Sequence, residues 1–164
     1  MVSFFNRCIA ILTVPTSIVL FSGCAAMMDS SVRTSIDPSE QTIDFIDSCG
    51  LNKDQIYDRT LSWATQIYNS SKNVIDMKDR DAGMVSINAI IDVNVGMTTL
   101  PCKYSLQIRI KDGKSKMTFK ILNMQTEWGG YPPKNSMDKI RSDFNNMHST
   151  FINSINNKTK ADDF

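Results

Sequence analysis

The chain is expected to fold as an α+β domain: an antiparallel five-stranded sheet with two helices on one face. Three observations carry this expectation. Met84 to Val95 alternates apolar and polar residues almost without interruption, the pattern of a strand with one buried face. Asp112-Gly113 separates two further alternating runs, the form of a tight hairpin. Two other segments repeat apolar residues at helical spacing, one before the strands and one after them.

The elements follow in order. Ile43 to Cys49 is the first strand, ended by Gly50. Asn52 with Gln55 three residues on forms a capping box, which satisfies two orphan amides at a helix start. From Lys53 to about Asn69, Ile56, Thr60, Trp63, Ala64 and Ile67 share a face, with Trp63 as a core plug. Asn73 to Lys78 is a short strand, turned by Asp79-Arg80-Asp81-Ala82-Gly83. In Met84 to Val95 the inward set runs from Val85 to Val95, and only Ile90 interrupts the polar face. A loop with Gly96 and Pro101 leads to the strand Lys103–Lys111. A type I′ turn at Asp112-Gly113, with positive φ at both positions, returns the chain through Lys116 to Met124. After the breaker Gly129-Gly130-Tyr131-Pro132-Pro133, Ser136 caps a last helix. There Met137, Ile140, Phe144, Met147, Phe151 and Ile155 make one stripe. Residues 158–164 form a polar tail.

The segment ahead of the domain concerns location. Arg7 is the only charge before Asp29, and Cys8 to Phe21 is mostly apolar. That run is shorter than the roughly 20 residues a membrane span needs and suits a secretory leader. It closes on Phe21-Ser22-Gly23-Cys24, which resembles a bacterial lipoprotein signal peptide and its lipobox. The resemblance implies cleavage after residue 23, acylation of Cys24, and a membrane partner engaged through the acyl anchor. The alternative is an ordinary cleaved leader. Ala25, not Asp, follows the cysteine, which by the same resemblance implies the outer membrane, periplasmic face. Residues 24–42, rich in Ser, Asp and Thr, read as an acylated flexible tether.

Removing residues 1–23 removes Arg7 alone among the charges, so 18 basic residues become 17, against 17 acidic ones. A neutral domain lacks the basic footprint of nucleic-acid binding, and no nucleic-acid partner is expected. Cys49 and Cys102 then remain in an oxidising compartment. They are either the one disulfide, closing a loop of about 53 residues that would add roughly 4 kcal/mol, or two buried free thiols.

The wording of the domain carries a second resemblance. The residues are Asp54-Gln55-Ile56-Tyr57-Asp58-Arg59-Thr60-Leu61-Ser62-Trp63, then Ser70-Ser71-Lys72-Asn73-Val74-Ile75 and Asp79 to Gly83. Tyr104 to Ile110 and Lys111-Asp112-Gly113-Lys114 complete the set. Together these resemble the bacterial domain of unknown function 4468, whose fold is TBP-like, β-α-β-β-β-β-α, across about residues 43–157. The resemblance implies fold and export. It brings no activity, and a shared fold does not transfer DNA binding.

No residue set declares a chemistry, so no enzyme, metal site or cofactor is expected. His148 is the single histidine, and the Asp79/Asp81 pair reads as a solvated turn. The alternative of an envelope hydrolase would rest on these three residues. The binding candidates are two. One is the polar sheet face with Asn88, Asp92, Gln107, Arg109, Lys111, Lys116 and Lys120, locally basic and suited to an unidentified envelope protein or a polyanionic envelope partner. The other is an aromatic docking loop with Trp128 and Tyr131, since aromatics anchor interfaces. A structural homo-oligomer is the third reading.

Overall fold

A computed structural model describes residues 32–68, 75–126 and 129–157. The leader, Cys24, residues 69–74, Trp128 and the tail 158–164 lie outside the described residues.

The elements are α1 (Pro38–Gln41), β1 (Thr42–Ser48), α2 (Lys53–Ile67), β2 (Ile75–Asp79), β3 (Met84–Val95), β4 (Thr98–Lys111), β5 (Lys114–Met124) and α3 (Met137–Asn156). The strands form one five-stranded sheet in the order β1-β5-β4-β3-β2, every neighbouring pair antiparallel. Because β1 and β2 sit at opposite edges, α2 must cross the sheet between them. The inward sides of β3, β4 and β5 meet α2 and α3 in one core, with Val85, Leu106, Ile108, Met117 and Phe119 fully buried. The helices bring Ile56, Trp63, Phe144 and Phe151 to it. Trp63 is the expected plug: its Nε1–H donates to Thr150 Oγ1 at 3.0 Å, and its ring meets Phe151 edge-on.

The start of α2 is fastened from two sides. The capping box is present, and the Asp112 carboxylate also accepts the Lys53 amide at 2.8 Å. An anion at a helix N-terminus is stabilised by the exposed amides and the helix dipole. The two helices run antiparallel, and near this same end the nearly buried Arg59 donates from Nη1 to the carbonyls of Ile155 and Asn157. These carbonyls belong to the unsatisfied last turn of α3, and a cation there satisfies them.

Five expectations are corrected. The tether does not extend to residue 42: Val32 and Ile36 pack against the core, Arg33 exchanges backbone hydrogen bonds with Tyr131, and Asp37 caps α1. Apolar residues spaced through a polar segment supplied the contacts. Second, β4 begins at Thr98, so Pro101 lies inside a strand, opposite Asp92. Its carbonyl points to the β5 side, accepting the Gln125 amide at 2.7 Å. The missing N–H faces that same side, just past the last paired residue, Met124, so the proline forgoes only the reciprocal bond to Gln125 at the end of the ladder. Third, Asp112 keeps a negative φ and only Gly113 is positive, at 70°, so the turn is not type I′. The Asp112 carboxylate is directed to α2 instead. Fourth, Ser136 makes no side-chain cap. It ends a 3₁₀ turn, Lys134–Ser136, and its hydroxyl donates to the Asn94 carbonyl.

Fifth, Cys49 and Cys102 are both free thiols. The Cys49 amide donates to Gly113 at the β4–β5 hairpin tip. Cys102 lies near the opposite end of β4, nine residues from Lys111. At about 3.3 Å per residue this is about 30 Å, far beyond the roughly 7 Å limit for a disulfide. Burial pushes the Cys102 thiol up to about 11. A thiol reagent at neutral pH is therefore expected to label Cys49 in the folded domain and Cys102 only after unfolding. Mass spectrometry of the labelled chain, native and in urea, checks this.

Candidate functional site

The face of the sheet turned away from the helices is an open, two-dimensional array. Strand register orders it into rows. Thr42, Lys120, Ser105 and Asn88 form one row, and Asp44, Thr118, Gln107 and Ser86 the next. Ile46, Lys116, Arg109 and Met84 form a third. Lys111 faces Lys114 at the hairpin end, and Asp92 lies toward the far end of β3. Asn88, Asp92, Gln107, Arg109, Lys111, Lys116 and Lys120 thus share one face, as the alternation implied. Arg109, Lys111 and Lys120 are exposed, whereas Gln107 and Lys116 are half-buried by their neighbours.

The array has internal chemistry. Asp44 accepts from Thr118 Oγ1 at 2.6 Å and from Lys116 Nζ at 2.9 Å, and these two contacts hold its carboxyl below the ordinary carboxylate range. Arg109 Nε donates to Gln107 Oε1 at 3.0 Å. Between β4 and β5 the register slips at Lys103/Tyr104, leaving Leu122 as the bulge residue. A groove of about 370 Å³ opens there, lined by Asn88, Ile90, Lys103 and Leu122 together with Ala89 and Tyr104. Beneath it the phenols of Tyr104 and Tyr68 are 2.8 Å apart. Burial pushes both phenol groups upward, so both stay neutral.

The second candidate divides. Trp128 lies outside the described residues. Tyr131 is half-buried against the core and bridges to Arg33, and the adjacent Arg33 Nε donates to the Pro132 carbonyl at 2.7 Å. Gly130 makes this seam possible. Its φ is 96°, and a Cβ there would stand 2.4 Å from Val32 Cγ1. The described part of this loop is thus packed on its own domain and is the bed on which residues 32–36 rest.

The residues considered for hydrolysis are distributed otherwise. Asp79 Oδ1 accepts the Ala82 amide at 2.7 Å within the turn. Arg80 pairs with Asp54 and Asp58 on α2 and lies 4.8 Å above the Tyr57 ring. His148 Nε2 is 2.8 Å from Asp47 Oδ2, and the imidazole stacks on Phe45 at 4.1 Å. That trio ties α3 to the edge strand β1. Among the described residues, no group of three or more His, Cys, Asp or Glu could hold a metal ion, and no helix is long and apolar enough to cross a membrane.

Sequence reading missed Asp44, Ile46, Lys103, Lys114 and Leu122 on the open face, and the Asp47–His148 pair. The alternation of β1 contained the signal for Asp44 and Ile46. That β1 pairs with β5, and that β5 carries a bulge, had no local signature.

This sheet, with both helices on one side and strand order β1-β5-β4-β3-β2, defines an α+β domain of the TBP-like class. Residues 44–125, half of the chain, match the family described as a domain of unknown function (DUF4468) with TBP-like fold. The chain belongs to that family. Its structure is similar to that of a TBP-like protein from Parabacteroides distasonis ATCC 8503, with a TM-score of 0.63 and 10% identity over 77% of this chain and 99% of that one. It is also similar to a DUF4468 family protein from Bacteroides ovatus ATCC 8483, with a TM-score of 0.55 and 11% identity over 77% and 93% of the two chains. At these identities the likeness shows the fold alone. No curated protein matches the sequence.

Proposed function

We propose that this chain is a lipid-anchored envelope protein whose domain binds a protein partner on its open sheet face, without chemistry of its own. The observation that carries the reading is the asymmetry of the sheet. One side is covered by α2 and α3, while the other presents Arg109, Lys111 and Lys120 exposed beside exposed Ile46 and Ile90. A polar, partly apolar face held rigid by five strands is a platform of the kind that interfaces use. The Phe21-Ser22-Gly23-Cys24 segment supports the anchor, with Cys24 as the acylated residue at the outer membrane. Arg33 and the packed segment behind it start the domain only a few residues after Cys24, which would hold the sheet close to the lipid surface.

The test is crosslinking of the full-length protein in intact cells, followed by identification of what is captured. Wild type is expected to yield one dominant species that Arg109→Glu/Lys120→Glu loses while its circular dichroism is unchanged. A Cys24→Ala variant is expected to leave the membrane fraction. Equal, scattered capture by wild type and the double variant would discard the platform, and membrane retention of Cys24→Ala would discard the anchor.

A further inference from the structure

The chemistry of the partner can be narrowed from the charge pattern of the same face, an inference that rests on the platform reading. Two cross-strand pairs on this face are like-charged: Arg109 opposite Lys116, and Lys111 opposite Lys114. Like charges directly opposite each other weaken a sheet, so folding does not favour them. Relief is partial. Asp44 pairs with Lys116, whereas Lys111, Lys114 and Lys120 make no ion pair among the described residues. A local conflict of this kind, kept on a solvent face, marks a surface shaped for something other than stability.

The spacing of the cations adds to this. Along β5, Lys114, Lys116 and Lys120 lie on one face with Thr118 between, at steps of about 7 Å per two residues. An extended polypeptide carries its own side chains at the same repeat. The stripe runs toward the Ile90/Leu122 groove, and Ile46, 72% exposed, lies beside Lys116. A polysaccharide or a nucleic acid would satisfy the cations and leave both apolar features uncovered. We infer that the open face binds an extended acidic segment of a partner protein. Carboxylates of that segment meet Lys114 and Lys120, the stripe's cations without an ion pair of their own, and an apolar side chain sits between Ile90 and Leu122.

The experiment is fluorescence anisotropy on the full chain with a labelled peptide of about ten residues, long enough to span the sheet. The peptide alternates Glu and Thr and ends in Leu, with a Gln-for-Glu version, dextran sulfate and duplex DNA as comparison probes. The acidic peptide is expected to bind about tenfold or more tightly than the Gln version. Lys114→Glu/Lys120→Glu should remove that preference and Ile90→Ser should weaken binding several-fold. Lys139→Glu, on α3 behind the sheet, should change nothing, and circular dichroism confirms that each variant is folded. Equal binding of the two peptides, or binding of neither, overturns the inference. Tight binding of dextran sulfate or DNA that Ile90→Ser leaves unaltered overturns it in favour of a general polyanion site. The cellular capture is read separately. A partner lost in Arg109→Glu/Lys120→Glu but without peptide preference sinks only the acidic segment, whereas no face-dependent capture sinks the platform itself.

Discussion

Phe144→Ala is expected to lower the unfolding free energy by about 4 kcal/mol, within the range for truncating a buried aromatic. Phe144 is fully buried on the inner face of α3. Its ring stacks on Phe119 of β5 with centroids 4.3 Å apart and meets Tyr104 of β4 at 5.1 Å. The truncation removes buried area, two aromatic contacts and the volume that holds α3 on the centre of the sheet. A domain of this size has a total stability of about 5–15 kcal/mol, so the loss is a large fraction of it. Urea unfolding followed by circular dichroism measures the change. Phe144→Leu, which leaves a smaller cavity, is expected to cost about 1–2 kcal/mol. Equal midpoints for wild type and Phe144→Ala would mean that α3 is not seated as described.

Gly83→Ala is expected to cost about 3 kcal/mol by a different route, through backbone strain and steric conflict. Gly83 closes the β2–β3 turn at φ 62°, and an added Cβ would stand 2.4 Å from the Ile110 carbonyl oxygen. That oxygen is backbone of β4, and the Ile110 amide donates to the Gly83 carbonyl at 2.7 Å. No side chain can swing aside, so β4 or the turn must move. Gly113 separates the two causes. Its φ is also positive, at 70°, but an added Cβ would meet only the Cys49 carbonyl, at 3.3 Å. Asn tolerates this backbone region, so Gly113→Asn is expected to cost about 1 kcal/mol or less. Thermal unfolding of both variants checks the order, and a Gly83→Ala protein as stable as Gly113→Asn would remove the steric argument.

Much of the architecture was legible because the signals were local. The alternation in Met84–Val95 matched β3 residue for residue. The Asn52/Gln55 box started α2 where it was read. The stripe from Met137 to Ile155 faced the core, with only Met147 half-exposed. Ile67, assigned to the buried stripe of α2, is 39% exposed at the last residue of the helix, in an open groove beside Trp63. The candidate face was legible to the same degree. Period two placed Arg109, Lys111, Lys116 and Lys120 on one side without knowledge of their neighbours.

What escaped the sequence depended on partners distant along the chain. Asp112 was read as half of a hairpin turn, yet its carboxylate serves a helix that begins about sixty residues earlier. The stretch from Val32 to Gln41 looked like tether because its few apolar residues have no periodicity, and only the bed formed at Gly130 and Tyr131 gives them a surface. Cys49 and Cys102 were a plausible pair by count, and strand direction separates them. Local propensity and side-chain parity therefore determined the elements and their polar and apolar faces, since both act over a few residues. Tertiary structure alone decided which strands meet, how Asp44 and Lys116 come to neutralise each other, and where the β5 bulge opens a groove. Those outcomes follow from register and packing between segments whose separation in sequence carries no information about their distance in space.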